Sequence, residues 1–248
     1  MTVVLLTGTV VPNVMDNLVV FQPEVRKNQY LSAIRWYVKN TDYRIVFCEN
    51  SGTDISPLLN EEEKERVEVL TFAQPQITDP TKDRGYTEML IIEYALQHSL
   101  YLSNADLVVK GTGRLILKNI KSLVGMCKGR RLFVSTWMVY GCLYAESRFF
   151  LCCVEWLRYF VGYKDKVCVN CNFEATLAQT VRCSVNEAGF HFHYPIVRPW
   201  INGVGGGSGV QYELPLWKWF LSSLRLLPLA LMYNWGGYMP NNIQVVKD

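Results

Sequence analysis

The feature that most constrains this chain is the order in which short apolar runs and helical segments follow one another over its first half. Residues 3–7 (VVLLT) form an apolar run closed by Gly8, which reads as a strand buried on both faces. Residues 24–39 place Val25, Tyr30, Ile34, Tyr37 and Val38 at helical spacing. RIVFC at 44–48 is a second strand, ended by the turn-rich ENSGTD. A charged helical segment starts at Glu61–Glu65, and VEVLTF at 67–72 is a third strand. A proline-containing loop then leads into a long helix over 86–102. ADLVVK at 105–110 and RRLFVST at 130–136 supply a fourth and a fifth strand. Strands alternating with helices imply an α/β fold with a doubly wound, mostly parallel sheet flanked by helices. Such sheets bind ligands beyond the carboxyl ends of their strands. The polar clusters to read are therefore TGT, ENSGTD, TKDRG and KGTGR.

The second half is less regular. Helices are predicted over 146–161 and over 173–183, the latter opened by Asn172 as N-cap. A loop with His191 and His193 follows, then INGVGGGSG at 201–209, which reads as a mobile loop able to close over a substrate. The chain divides into a main unit over 1–212, whose halves meet near residue 120, and a C-terminal segment over 213–248. Residues 214–235 hold two prolines and the cations Lys218 and Arg225, whereas a spanning helix needs ~20 uninterrupted apolar residues. This stretch reads as an interfacial amphipathic anchor with Trp217, Trp219 and Trp235 at headgroup depth, or as a segment packed on the domain.

Composition closes off several classes. With 248 residues, 50% of them apolar, the chain can bury one sizeable core and is not disordered. Twenty-five Lys and Arg against 22 Asp and Glu give a net charge of +3, too mild for a dedicated nucleic-acid binder. The eight cysteines lie mostly in apolar runs, where Cys acts as a small hydrophobe. Cys168 and Cys171 form a single C-x-x-C without the second pair that structural zinc requires. MTVVLLTGTVVP has neither a basic n-region nor a small-residue cleavage site, so no signal peptide is expected and a cytoplasmic, reducing compartment fits.

Two stretches carry a resemblance. ENSGTDIS after the second strand resembles the DDGSxD turn of family 2 glycosyltransferases. RGYTEMLIIEYALQHSLYLSNADLVVKGTG resembles their next signature, a Gly-led helix running into the strand that delivers a D-x-D motif. The chain thus looks like a bacterial GT-A-type glycosyltransferase of capsule or lipopolysaccharide assembly, over about residues 3–120 in fair register and 146–212 more loosely. Small metal-independent transferases of surface polysaccharide synthesis, some of which transfer galactofuranose, are the nearest kind. Where the family has D-x-D, this chain has Lys110-Gly111-Thr112, followed by Gly113-Arg114. Carboxylates in D-x-D hold a divalent cation against the donor diphosphate. A lysine, a hydroxyl and an arginine would instead neutralise the leaving group directly, so no metal cofactor is expected.

The resemblance implies a GT-A-like catalytic domain over 1–212, with a donor half to about 120 and an acceptor half over 121–212, and roles for further residues. Thr7, Gly8 and Thr9 would touch base or ribose, as would Glu49, Asn50 and Ser51 in the second turn. Lys82 and Arg84 before the long helix would meet the diphosphate, and Glu88 would face the donor sugar. An inverting transfer needs a base for the acceptor hydroxyl, and Glu174 matches the family's acidic residue at a helix start, with Glu146 second. Arg148, His191, His193 and Ser208 would contact acceptor or phosphate. Plain turns, solvated loop cations and dipole-stabilised helix starts would use the same residue types. The expected partners are a nucleotide-sugar donor, UDP-linked, a lipid-linked glycan or polysaccharide acceptor and the inner face of a membrane. No nucleic acid is expected. A CMP-sugar transferase, a sugar nucleotidyltransferase and a non-catalytic glycan-binding scaffold are the rival readings.

Overall fold

The computed structural model describes residues 1–12, 18–139, 141–206 and 209–235. Its first strand, β1 (Thr2–Gly8), keeps Val3 to Leu6 fully out of water, as an apolar run without alternation demands. Helix α1 (Pro23–Asn40) follows, with Pro23 in its first turn and Tyr30, Ile34 and Tyr37 turned to the core. Then come β2 (Arg44–Glu49), the short α2 (Glu61–Arg66) under an Asn60–Glu63 capping box, and β3 (Val67–Thr71). Helix α3 (Arg84–His98) and the single turn α4 (Leu100–Ser103) lead to β4 (Leu107–Thr112), β5 (Ile116–Leu117) and α5 (Ile120–Cys127).

The later half continues with β6 (Phe133–Ser135), β7 (Met138–Val139), β8 (Tyr144–Ala145) and β9 (Phe149–Cys152). Helices α6 (Val154–Val161) and α7 (Phe173–Glu187) precede β10 (His191–His193), β11 (Ile201–Val204), β12 (Gln211–Glu213) and α8 (Leu216–Trp235). The seven-stranded sheet runs β10-β6-β9-β4-β1-β2-β3. Only β9 is antiparallel to its neighbours in it. The expected α/β class with a mostly parallel sheet is what the chain adopts. A second, three-stranded sheet joins β5, β11 and β12.

Three local expectations are corrected. Residues 146–161 are not one helix. Phe149–Cys152 are all buried as β9 between β4 and β6, and the helix begins only at Val154. A continuous apolar run fits either period, and here pairing with strands on both sides decides. The helix over 86–102 breaks at Ser99, whose hydroxyl caps α4 by accepting the Leu102 N–H. The glycine-rich stretch is in part strand: residues 202–204 pair with β12, and Ile201 and Asn202 with β5.

Candidate functional site

Chain order along the sheet reverses at β1: β2 and β3 lie to one side of it and β4 to the other. The carboxyl ends of β1 and β4 therefore border the crevice where doubly wound sheets take ligands. Thr7 is in register with Thr112 there. The Gly113 N–H donates to the Thr7 carbonyl at 2.8 Å. A Cβ at 113 would lie 2.7 Å from that oxygen and 3.0 Å from the Tyr30 ring, so only glycine lets the two strand ends meet. Gly111 is required by packing, because a Cβ there would overlap the Phe149 ring.

Arg114 follows directly. Its guanidinium lies 5.7 Å from the Tyr30 ring centre and beneath Gly206, where a side chain would collide with it. Its Nε and Nη1 are buried and have no hydrogen-bond partner among the described residues. Burial holds the guanidinium below the ordinary arginine range. The Tyr30 hydroxyl and Glu88 pull it up, while the charge of Arg26 adds to the lowering. Arg26 is itself buried, and donates to the Thr9 carbonyl (2.7 Å), the Val20 carbonyl (3.0 Å) and the Tyr30 hydroxyl (3.3 Å). None of these acceptors carries charge. Two guanidinia thus flank Tyr30, and among the described residues neither forms an ion pair with a carboxylate.

The turn after β2 is locked by its own side chains. Glu49 is fully buried and accepts from the Ser51 and Thr53 N–H groups (2.7 and 2.9 Å) and from the Ser51 hydroxyl. Its expected contact with a base is corrected: the carboxylate is enclosed, building the turn. Asn50 accepts from the Thr9 hydroxyl at 2.6 Å and donates to Gln74 at 2.8 Å. Ser51 also accepts the Val11 N–H. Thr9, Asn50 and Gln74 therefore form one polar row across the ends of β1, β2 and the loop after β3.

Lys110 is corrected in position and partner. It lies inside β4 and not beyond it, wholly buried, over the Phe173 and Phe150 rings at 5.1 and 5.8 Å. Its ammonium pairs with Glu88 and donates to the Ser147 carbonyl at 3.3 Å. Glu88 also accepts from the Thr7 hydroxyl at 3.0 Å. The Ser147 hydroxyl donates to Glu174 at 2.6 Å. Glu174 stands in the first turn of α7, where Asn172 caps the helix. Thr7, Glu88, Lys110, Ser147 and Glu174 thus make one connected chain, in which Glu88 and Glu174 are half-buried.

No family model matches the chain, and no curated protein matches it either. Among solved structures it is similar to a protein described as a nucleotide-diphospho-sugar transferase of Desulfovibrio desulfuricans G20, with 11% identity, TM-score 0.46, and 78% of this chain and 79% of that one covered. It is also similar to the galactosyltransferase LgtC held with donor and acceptor sugar analogues, with 11% identity, TM-score 0.44, and 97% and 98% covered. A cytidylyltransferase of Leptospira borgpetersenii gives 13% identity, TM-score 0.43, and 78% and 75% covered.

The remaining expected residues fall elsewhere. Lys82 is turned to the Asp165 and Val167 carbonyls (2.6 and 3.4 Å) and stands 4.7 Å from the Tyr86 ring centre. The first turn of α3 is already capped: the Asp83 carboxylate accepts the Gly85 and Tyr86 N–H groups, so the expected diphosphate seat there is filled by the chain's own anion. Arg84 is exposed beside it. Glu93, spaced by five from Glu88, pairs with Lys164. Glu146 holds Arg148 in a two-point ion pair and is 8% exposed, so it is not a free base.

His191 is exposed at the sheet edge, while His193 is buried, with Nδ1 3.0 Å from the Asn234 side-chain oxygen of α8. The two share a strand face as expected, but α8 covers one of them. His193 therefore latches a helix and does not serve the crevice. Ser208 lies outside the described residues. Trp219, expected at headgroup depth, instead stacks on Trp200 at 5.3 Å and donates to the Arg198 carbonyl.

A divalent cation does not fit the D-x-D position. The side chains there are an ammonium and a hydroxyl, and the one adjoining carboxylate, Glu88, is taken by Lys110. No three His, Cys, Asp or Glu side chains converge as metal ligands among the described residues. Sequence reading missed Arg26, Tyr30, Gln74 and Ser147. Arg26 carried one signal, a lone cation in the first turn of a helix whose other inward residues are apolar.

Proposed function

We propose that this chain is a glycosyltransferase that moves a sugar from a nucleoside-diphosphate donor, UDP-linked, to a hydroxyl of a lipid-linked or polysaccharide acceptor, with inversion and without a metal. The observation that supports this best is Arg114: a buried guanidinium at the β1/β4 switch point whose Nε and Nη1 have no partner among the described residues, beside a second arginine that pairs with no carboxylate among them. A buried donor left unpaired costs about 1–3 kcal/mol, which a diphosphate filling the crevice offsets.

In this reading Arg114 and Arg26 face the diphosphate, and Thr9, Asn50 and Gln74 face the nucleoside. The acceptor hydroxyl attacks the anomeric carbon and Glu174 takes its proton. The bond from that carbon to the β-phosphate oxygen breaks, and the nucleoside diphosphate leaves with the electron pair against the two guanidinia. Ser147 holds the Glu174 carboxylate in place. Lys110 acts through Glu88, fixing it beside the donor sugar, and does not touch the phosphates.

The exposed face of α8 supports attachment to the cytoplasmic surface of a bacterial inner membrane during surface-glycan synthesis. Trp217, Phe220, Leu221, Leu224 and Trp235 are open to solvent beside Lys218 and Arg225. No helix among the described residues is long and apolar enough to cross a membrane. Thermal-shift measurements with UDP, GDP and CMP sugars in EDTA test the function. Stabilisation by one nucleotide class is expected, and strict dependence of transfer on Mg²⁺ or Mn²⁺ would contradict the metal-free reading.

A further inference from the structure

A second cleft, of about 190 Å³, lies on the side of segment 146–148 that carries the Glu146 and Arg148 side chains. Arg148, Arg198, Trp137, Tyr212 and the carboxylates of Glu146 and Glu213 line it. Each arginine stands over an aromatic ring, Arg148 on Tyr212 at 4.6 Å and Arg198 on Trp137 at 4.7 Å. Glu146 grips Arg148 and leaves Arg198 without an ion-pair partner among the described residues. Burial holds Arg198 below the ordinary arginine range and the neighbouring charge of Arg148 adds to this, against a pull from Glu146.

The backbone of Arg198, in contrast, is fully engaged. Its N–H donates to Ser223, and its carbonyl accepts from Asn119 and from the Trp219 ring. The fold thus fixes the main chain at 198 from three sides while its charged end projects into an open cleft. Charge that is desolvated, stacked and unpaired in this way suits an anion.

Position links this cleft to the crevice. Ser147, between Glu146 and Arg148, sends its hydroxyl to Glu174 and its carbonyl to Lys110. The β11–β12 hairpin likewise serves both places: Gly206 in its turn covers Arg114, and Tyr212 in its second strand carries Arg148. The root of α8 braces the main chain at Arg198 through Trp219 and Ser223.

We infer that this cleft is the acceptor's anion subsite, and that the acceptor carries a phosphoryl group held by Arg198 with Arg148. Two guanidinia offer more N–H donors than the two oxygens of a carboxylate use, and a tetrahedral phosphate matches that number better. The assignment of the phosphate to an acceptor rests on the transferase reading; the anion site itself does not. The phosphate comes either from a soluble sugar phosphate or from a lipid phosphate whose apolar tail continues along α8.

The test is calorimetric titration of the full chain and of Arg198→Gln and Arg198→Lys with glucose 1-phosphate. In parallel, sedimentation is measured with phosphatidylcholine vesicles, plain or doped with a monoalkyl phosphate. Wild type is expected to bind the sugar phosphate, or the doped vesicles more tightly than the plain ones. Arg198→Gln is expected to lose at least tenfold of that affinity and Arg198→Lys less, while UDP affinity stays at the wild-type value. Binding of glucose 1-phosphate marks a soluble acceptor, and binding of the doped vesicles alone marks a lipid one. Equal affinity in wild type and Arg198→Gln, or no binding of either probe, would overturn the subsite. Loss of UDP binding in the wild type with phosphate binding intact would instead refute the transferase reading and leave the anion site standing.

Discussion

Gly206 and Arg114 hold their positions jointly: a side chain at 206 would overlap the guanidinium that the glycine covers. Gly206→Ala should therefore displace Arg114 while leaving the sheet intact. If Arg114 contacts the donor diphosphate, losing a charge-assisted bond costs about 1.5–3 kcal/mol, roughly ten- to a hundredfold in UDP affinity. Calorimetry on the variant checks this, and circular dichroism shows whether the fold persists.

Arg114→Met separates stability from function. The substitution removes two buried nitrogens that have no partner among the described residues and keeps a long apolar stem over Tyr30. Stability should rise by about 1 kcal/mol or stay level while nucleotide binding is lost. Urea unfolding of the unliganded protein measures the first effect.

The Lys110–Glu88 pair should behave as a unit. Glu88→Gln leaves a fully buried ammonium without its carboxylate and is expected to cost about 3–5 kcal/mol. Adding Lys110→Met to that variant should recover most of the loss without recovering activity. A double-mutant cycle in denaturant measures the coupling.

The latch between β10 and α8 should weaken in acid. Burial, and then the charge of Arg130, lower the His193 pKa, against the Asn234 hydrogen bond that raises it. In the unfolded chain the imidazole titrates near 6.5, so below about that pH the unfolded state binds the additional proton. The histidine's contribution is thus complete above pH ~6.5 and is lost as the pH falls through the lower folded value. The drop in Tm from pH 7.5 to 5.5 should be larger for wild type than for His193→Gln.

Trp217 and Trp235 are 61% and 84% exposed on α8. Replacing both with Ser should reduce binding to anionic phospholipid vesicles several-fold, because interfacial affinity scales with buried apolar area and aromatic anchoring. Nucleotide affinity should not change. Vesicle flotation reports the first and calorimetry the second.

Much of the parallel sheet was legible because its strands are apolar runs of four to six residues bounded by turns, and buried strands have little freedom to read otherwise. β9 was not, since Phe149–Cys152 run directly into Val154–Val161 without a polar break. The crevice was legible by position: TGT and GTGR lie after strands that meet. Which of its groups are free was not. Glu49, Lys82 and Glu146 look like ligands in sequence, yet Glu49 and Glu146 are taken by Ser51, Thr53 and Arg148 within their own turns, and Lys82 by the distant Asp165 and Val167 carbonyls. Arg198 gave no signal at all, because its aromatic shelf, Trp137, comes from a distant segment of the chain.

The central claim is a metal-free nucleoside-diphosphate seat built on Arg114. It is tested most directly by titrating UDP into EDTA-treated wild type and Arg114→Met. Saturable binding by the wild type with at least tenfold loss in the variant is expected. No binding of any nucleoside diphosphate without metal, or equal binding by the two proteins, would contradict it.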